Sequence, residues 1–307
     1  HGGEAYAQSV VLDDTVESTI EALSELAPLH NPANLISYRA FKKELPHARH
    51  VAVFDTAFHQ TMEEDIFVYQ IPLEYYEEFK IRRYGFHGTS HFYVSHKVAQ
   101  LMGRKVEDIN VITCHLGNGA SLAAVEGGKS VNTSMGFTPL AGIMMGTRSG
   151  DIDPAIITFL MQKLGKTASQ VIDILNKKSG MLGVSGLSSD ARDIEKGIQE
   201  GNERAILTRK LYANRVAQTI GSYFVQLGKV DAIVFTGGLG ENDVAMRAAI
   251  VERIQTALGI DFDLELNNKS RGKDLCLSKA GSKTQVWIVP TNEELVIAQD
   301  TVRLLGL

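Results

Sequence analysis

The chain has 307 residues, enough for two domains of ordinary size, and 44% of them are hydrophobic, which supports a full core. A net charge of −5 and a pI of about 6.0 give no electrostatic basis for binding nucleic acid. No stretch reads as a membrane span. The two cysteines, Cys114 and Cys276, lie far apart in the sequence, so we expect reduced thiols in a cytoplasmic protein. Because the first residue is His1 rather than Met, we expect an interior part of a longer gene product.

Residues 1–50 contain two helical patterns. Helices are expected over 13–26 and 34–45, separated by two prolines. Residues 51–54 form a short buried strand, and Asp55 follows it directly. Functional groups of open α/β sheets lie at such strand ends, although a turn or helix-cap role for Asp55 is the alternative.

The segment YGFHGTSH, from Tyr84 to His91, brings two histidines together. His87 and His91 are spaced four residues apart, which would suit a metal site on a helix. Gly85 and Gly88 favour a loop instead, and a loop followed by a helix N-terminus suits an anion better than zinc.

The most regular β pattern lies between Val111 and Thr133. Two apolar stretches flank the turn Gly117-Asn118-Gly119, and a second glycine turn leads to another strand, which predicts hairpins. Backbone N–H groups in a glycine turn can form a nest for phosphate, although most such turns only reverse the chain.

A long stretch that is rich in glycine and hydroxyl residues follows, over 132–154. Arg148 lies there between Gly146 and Gly150, so its side chain is expected to project from a tight loop. A structural ion pair with Asp151 or Asp153 is the alternative.

The rest of the chain alternates helices and strands, which favours an α/β fold. A polar glycine loop is expected over 183–190, and a glycine turn over 236–242 that does not match the dinucleotide-binding fingerprint. The predicted helices are 154–165, 167–179, 202–227 and 295–305, and the predicted strands are 231–235 and 286–289. Glu293 and Glu294 precede the last helix, where complementing its dipole is one role.

Eight segments, taken in this order along the whole chain, resemble one family. They are HNPANL at His30, VFDTAFH at Asp55, YGFHGTSH at His87, HLGNGAS from His115, TSMGFTPL, GTRSGDIDP at Arg148, FTGGLGEN from Phe235 and PTNEE at Glu293. The chain resembles the acetate kinases and the closely related propionate kinases.

The resemblance implies a two-lobed actin-like ATPase fold, also described as ribonuclease H-like, whose first lobe is incomplete. Residues 1–54 and 294–307 would be the remnant of the N-terminal lobe. Residues 55–293 would form the C-terminal lobe, which binds nucleotide and forms a homodimer.

The implied activity is reversible phosphoryl transfer between ATP and acetate, which gives acetyl phosphate and ADP with Mg²⁺. Propionate, giving propionyl phosphate, is the second choice of substrate. Such a substrate needs no strong general base, because a carboxylate is already ionised at neutral pH. A non-catalytic nucleotide-binding module and a metal-dependent hydrolase built on the histidines remain alternatives.

The resemblance also implies roles for individual residues. Arg148 matches the arginine that stabilises the transferring phosphoryl group, and His87 the histidine that hydrogen-bonds it. Asp55 and Glu293 match the carboxylates tied to Mg²⁺, and His30 a further active-site histidine. The nucleotide-binding positions are His115, Leu116, Gly117, Asn118, Gly119, Asp190, Arg192, Gly237, Gly238, Gly240, Glu241 and Asn242. The apolar substrate pocket is Leu29, Phe86 and Pro139.

This sequence departs from the family pattern at two places. Ala191 stands where some relatives carry an aromatic residue. Family members also carry an N-terminal first phosphate loop rich in asparagine and serine, and an arginine just before the stretch that begins here at His1; neither is present in this sequence. We therefore expect the 307-residue chain to fold and bind nucleotide but to form little acyl phosphate.

Overall fold

The computed structural model describes residues 1–28 and 30–307, in which two β-sheets of unequal size are joined by helices. The strands are β1 (Val10–Val11), β2 (Val51–Ala52), β3 (Asn110–Leu116), β4 (Ala120–Glu126), β5 (Lys129–Thr133), β6 (Ala232–Thr236), β7 (Leu275–Cys276) and β8 (Gln285–Ile288). The helices are α1 (Asp14–Ala22), α2 (Asn31–Glu44), α3 (Glu64–Phe67), α4 (Glu74–Phe79), α5 (Gly88–Leu101), α6 (Ala155–Leu164), α7 (Ala168–Lys177), α8 (Gly180–Ser185), α9 (Ala191–Gln199), α10 (Glu203–Leu227), α11 (Gly237–Asn242), α12 (Val244–Leu258), α13 (Leu264–Asn268) and α14 (Glu293–Leu305).

The large sheet has the strand order β5-β4-β3-β6-β8-β7. Its centre is parallel, since β3 pairs with β6 and β6 with β8 in parallel, whereas β4, β5 and β7 are antiparallel to their neighbours. In this register His115 lies opposite both Ser121 and Thr236. The ends of β3 and β6 therefore meet at one edge of the sheet, which is where open α/β sheets bind ligands.

Helices cover both faces of the large sheet, which explains why its central strands are almost continuously apolar. Alternate residues of β3 point to opposite sides. Ile112 and Cys114 belong to the core shared with α10 and α12, whereas Val111 packs with Val94 and Val98 of α5. Both cores are buried, so the carboxyl ends of β3 and β6 are held rigidly.

The small sheet is the antiparallel pair β1–β2, which forms a separate core with α1 and α2. That core contains Ile20, Leu35, Ala52 and Phe54. Helix α14 connects it to the rest of the molecule, because α14 packs against β1, β2 and α5. The Ser9 hydroxyl donates to a carboxylate oxygen of Asp300 on α14 at 2.5 Å.

Most predicted helices and strands are present within a few residues of the expected bounds. Helix α2 begins three residues earlier than predicted, at Asn31, because Pro32 lies in its first turn, where a missing N–H costs nothing. The expected strand over 51–54 is shortened to β2.

Three glycine-containing stretches form helix where turns or loops were predicted. Gly88 to His91 is the first turn of α5 rather than a loop, and α8 occupies part of the expected 183–190 loop. The expected turn over 236–242 contains α11. At Gly88 the cause is space: a Cβ there would lie 2.4 Å from the Asp55 carbonyl oxygen, so glycine permits close contact and does not break the helix.

In the part of the chain that the structure describes, no helix combines the length and the apolar composition needed to cross a membrane.

Candidate active site

A cavity of about 510 Å³ lies between the small sheet and the edge of the large sheet. Its lining combines residues near the small sheet with residues near the large sheet. The predicted site residues in its lining are His30, Asp55, Phe86, His87, Pro139 and Arg148. His30 is exposed at the start of α2 and its side chain makes no capping bond there. Leu29, predicted for the substrate pocket, lies outside the described residues.

Asp55 holds the start of α5 through two hydrogen bonds. The His87 N–H donates to the Asp55 carboxylate at 2.9 Å, and the Gly88 N–H donates to the Asp55 carbonyl at 2.8 Å. His87 occupies the left-handed region, with φ 55°, which is uncommon for a residue with a side chain. These contacts fix the direction in which the His87 ring enters the cavity.

The His87 ring is held on its other side by β3 and β4. Its Nδ1 lies 2.9 Å from the Ser121 hydroxyl, and the ring stacks on His115 with centroids 4.2 Å apart. Burial, with the charges of Arg148 and His59, lowers the pKa of His87 to about 4. Burial and His87 lower the pKa of His115 to about 3. Both rings are therefore neutral at pH 7.

Arg148 reaches the same cavity without a carboxylate partner among the described residues. Its Nη1 lies 3.5 Å from the Pro139 carbonyl oxygen. Asp151 accepts the Gly142 N–H at 2.8 Å and Asp153 accepts the Ala155 N–H at 2.9 Å, so the structural ion-pair interpretation was wrong. Burial lowers the arginine's pKa but leaves it charged at pH 7. The guanidinium is placed to meet an anion.

The β3–β4 turn lies against both of these side chains. A Cβ at Gly119 would lie 3.4 Å from Arg148 Nη1 and 3.4 Å from His87 Nε2. Neither Gly117 nor Gly119 has a positive φ, so the backbone of this turn does not require glycine, and a Cβ at Gly119 would make ordinary contacts with both side chains. The Gly146 N–H donates to the Asn118 carbonyl at 3.1 Å, which ties the turn to the Arg148 loop.

A second cavity, of about 790 Å³, opens next to this turn. The predicted residues in its lining are Gly117, Asn118, Asp190, Arg192, Gly238 and Asn242. Arg192 and Asp190 pair with each other, with Arg192 Nε 3.0 Å from an Asp190 oxygen, and these hydrogen bonds lower the pKa of Asp190 to about 2. Arg271 also lines the cavity and was not predicted.

Other predicted nucleotide-binding residues do not line this cavity but pack against the segments that do. Gly237 has φ 75°, and a Cβ there would lie 2.8 Å from the Leu116 carbonyl oxygen. Glu241 accepts the Gly237 N–H at 2.9 Å, so its carboxylate braces the glycine segment and is not among the groups that line the cavity. Leu116 and Gly240 are buried.

Arg247 is a supporting residue that the sequence did not indicate. It is fully buried on α12 and donates to the Gly240 carbonyl at 2.9 Å, to Asn267 Oδ1 at 2.9 Å and to the Ser270 carbonyl at 2.7 Å. Burial lowers its pKa to about 10. An arginine within the apolar first half of α12, VAMRAAIV, was the available signal, and it points equally to a surface position.

Glu293 lies partly buried in the first turn of α14. Burial raises its pKa, and the neighbouring carboxylates of Asp55 and Glu294 raise it further. Across residues 1–28 and 30–307 no cluster of three His, Cys, Asp or Glu side chains could hold a metal ion. Mg²⁺ needs fewer protein ligands, one or two carboxylates plus phosphate oxygens, so a Glu293 carboxyl whose pKa is raised by the nearby Asp55 fits such an ion.

Comparison with known proteins shows the family. The model of the acetokinase family matches residues 1–299. An acetate kinase of Geobacillus kaustophilus is 57% identical over 307 residues, which is 100% of this chain and 77% of that protein.

Two solved structures have the same fold over nearly the whole chain. The crystal structure of Porphyromonas gingivalis acetate kinase is 48% identical, with a TM-score of 0.96 over 99% of this chain and 76% of that one. A propionate kinase from Francisella tularensis is 42% identical, with a TM-score of 0.92 over 98% of this chain and 76% of that one. The mixed sheet with helices on both faces is an actin-like ATPase fold, and the chain belongs to the acetokinase family.

Proposed function

We propose that this protein transfers a phosphoryl group reversibly between ATP and acetate, giving acetyl phosphate and ADP. The observation that carries the proposal is the meeting of Arg148 and His87 at Gly119, between the two cavities. A protein that only bound nucleotide would not need an arginine and a neutral histidine aimed at the space between nucleotide and substrate.

The two cavities divide the substrates. We place the nucleotide in the 790 Å³ cavity and the carboxylate in the 510 Å³ cavity, so the phosphoryl group crosses beside Gly119. Catalysis of such a transfer consists mainly of positioning and electrostatic stabilisation, since the transition state is loose and its charge lies on the equatorial oxygens. The planar guanidinium of Arg148 can make two parallel bonds to those oxygens.

The proposed reaction includes Mg²⁺, which would neutralise charge on the phosphates. Asp55 and Glu293 would hold it, because the Asp55 carboxylate is close enough to Glu293 to raise the pKa of Glu293. The structure gives Asp55 a second task, since its carboxylate also accepts the His87 N–H.

The cavity proposed for the carboxylate is partly apolar. Phe86 and Pro139 line it beside His87 and Arg148. A methyl group fits this wall, and we favour acetate, with propionate as the second candidate, because one of the similar solved structures is a propionate kinase.

The proposed division into lobes places 1–54 and 294–307 in one lobe and 55–293 in the other. The separate core of the small sheet and the packing of α14 against β1 and β2 support it. We also propose a homodimer formed by the second lobe, whose helices α6 and α10 carry exposed apolar side chains, among them Phe159, Leu207 and Val225. Sedimentation at micromolar concentration tests this. The free cysteines, Cys114 and Cys276, fit a cytoplasmic location.

Acyl phosphate trapped as the hydroxamate tests the function directly. A chain of the relatives' length that contains these residues, incubated with ATP, MgCl₂ and acetate, is expected to form acetyl hydroxamate when hydroxylamine is added, and chelation of Mg²⁺ is expected to stop it. The 307 residues alone are expected to bind ADP and form little hydroxamate. Binding of ADP without any hydroxamate in the longer chain would favour the binding-module alternative. Hydrolysis that requires added zinc would favour the hydrolase.

A further inference from the structure

A chain of buried hydrogen bonds runs from the middle of the large sheet to the cleft. His91 Nδ1 lies 2.6 Å from the Thr113 hydroxyl, and His91 Nε2 lies 2.7 Å from the Ser121 hydroxyl. The Ser121 hydroxyl in turn lies 2.9 Å from His87 Nδ1. Thr113, His91 and Ser121 are fully buried, and the transfer described above assigns them no task.

The chain couples the protonation of its two imidazoles. No described carboxylate bonds to either ring, and the ring nitrogens in the chain meet only buried hydroxyl groups, so the chain consists of neutral rings, each with one donor and one acceptor nitrogen. The Ser121 hydroxyl carries one hydrogen and contacts both rings. It therefore donates to one histidine and accepts from the other.

Two polarities are possible, and they differ at Thr113. In the first, Thr113 donates to His91 Nδ1, His91 Nε2–H donates to Ser121, and Ser121 donates to His87 Nδ1, which places the His87 proton on Nε2. In the second, His87 Nδ1–H donates to Ser121, Ser121 donates to His91 Nε2, and His91 Nδ1–H donates to Thr113. The Thr113 hydroxyl can then donate only to the Ala123 carbonyl, at 3.5 Å. A buried hydroxyl with so long a contact is poorly satisfied, so the first polarity is favoured.

We propose that Thr113, His91 and Ser121 are positioning residues that fix His87 with its proton on Nε2, so that this nitrogen donates to the transferring phosphoryl group. The inference rests on the proposed function for its ligand. His87 Nε2 lies on the side of Gly119 and Arg148, where phosphoryl oxygens can accept but not donate. A bare Nε2 would face those oxygens with a lone pair, and the wrong histidine tautomer can cost about 10⁴ in rate in other enzymes.

Nitrogen NMR of the histidine-labelled protein tests the polarity without ligand and without turnover. Spectra at neutral pH distinguish Nδ1–H from Nε2–H rings, and the variants His87→Gln and His91→Gln assign the two signals. We expect protons on Nε2 of both rings. A proton on Nδ1 of either ring overturns the proposal, whether or not the protein forms acyl phosphate.

Kinetics of Ser121→Ala test the consequence. With the link cut, we expect kcat to fall about 10-fold or more while the KM for ATP changes less than about 2-fold, because the lost bond acts in transfer rather than in binding. Ser121→Thr keeps the hydroxyl and is the matched control, expected to stay within about 3-fold of the original kcat. An unchanged kcat in Ser121→Ala overturns the proposal, as does an Nε2–H signal for His87 that is unchanged in that variant.

Discussion

At the scale of single residues, the cleft depends on neutral histidines that are buried. Burial lowers the pKa of His59 to about 4, and His87, His91 and His115 are lowered in the same direction. Since the unfolded chain takes up protons near pH 6.5 and the folded chain does not, stability is complete above that pH. The free energy of unfolding then decreases as the pH falls toward 4, by about 1 kcal/mol per histidine between pH 6.5 and 5.5.

Urea unfolding at pH 7.5, 6.5 and 5.5 measures this loss. The variant His59→Gln is expected to show a smaller difference between pH 6.5 and 5.5, by about 1 kcal/mol. His47→Gln, at an exposed position, is the control and should leave the difference as it is. A free energy of unfolding that does not fall over this range would show that the buried rings are protonated when folded.

Gly119 gives a second prediction, because the space beside it is shared by Arg148 and His87. The branched side chain of Gly119→Val would enter this space, so we expect turnover to fall about 100-fold, the effect of misplacing reacting groups by about an ångström. Gly221→Ala in α10, where a Cβ meets nothing within 4 Å, is the control and should add about 0.5–1 kcal/mol to the free energy of unfolding. Normal turnover in Gly119→Val would remove this turn from the site.

Substrate choice is also decided by a few side chains. An extra methylene against Phe86 and Pro139 changes binding by about 1–3 kcal/mol, so both acids should react and acetate should have the larger kcat/KM. Initial rates with acetate and propionate at several concentrations give the two constants. A clear preference for propionate would reverse the ranking.

At the scale of elements, buried Arg247 supports the glycine segment of α11 from α12. Arg247→Met removes the donors of four buried acceptors, so we expect about 3 kcal/mol or more of lost stability and weaker ADP binding. Arg253→Met, exposed on the same helix, is the control. Thermal unfolding and ADP titration measure both effects, and an unaffected ADP affinity would separate Arg247 from the nucleotide cavity.

The sequence predicted an element well where the interactions that form it are between residues close in sequence. Thr167 with Gln170 forms the capping box of α7, and the period of α10 is read directly from its residues. Gly88 was predicted to lie in a loop, but glycine is needed there because the Asp55 carbonyl, from a residue distant in sequence, packs against it. The Thr113–His91–Ser121 chain has no pattern in the sequence, since its members come from three elements.

At the scale of the whole molecule, the cleft forms where two separately packed units meet. Asp55 follows the small sheet, whereas His87, His115 and the β3–β4 turn lie at the edge of the large one. The charge of Asp55 acts on Glu293 because α14 returns across the molecule to pack on β1 and β2. Such a meeting depends on topology, so family resemblance, rather than periodicity or composition, was what placed these residues together.

The transition-state role of Arg148 is the central claim, and the turnover and ADP affinity of Arg148→Ala test it most directly. The charge it meets develops during transfer, so kcat should fall about 10³-fold or more while the Kd for ADP changes less than about 3-fold. Arg148→Lys should recover part of the rate, because an ammonium keeps the charge but lacks the planar fork. Equal losses of turnover and ADP affinity in Arg148→Ala would contradict the account and assign Arg148 to ground-state binding.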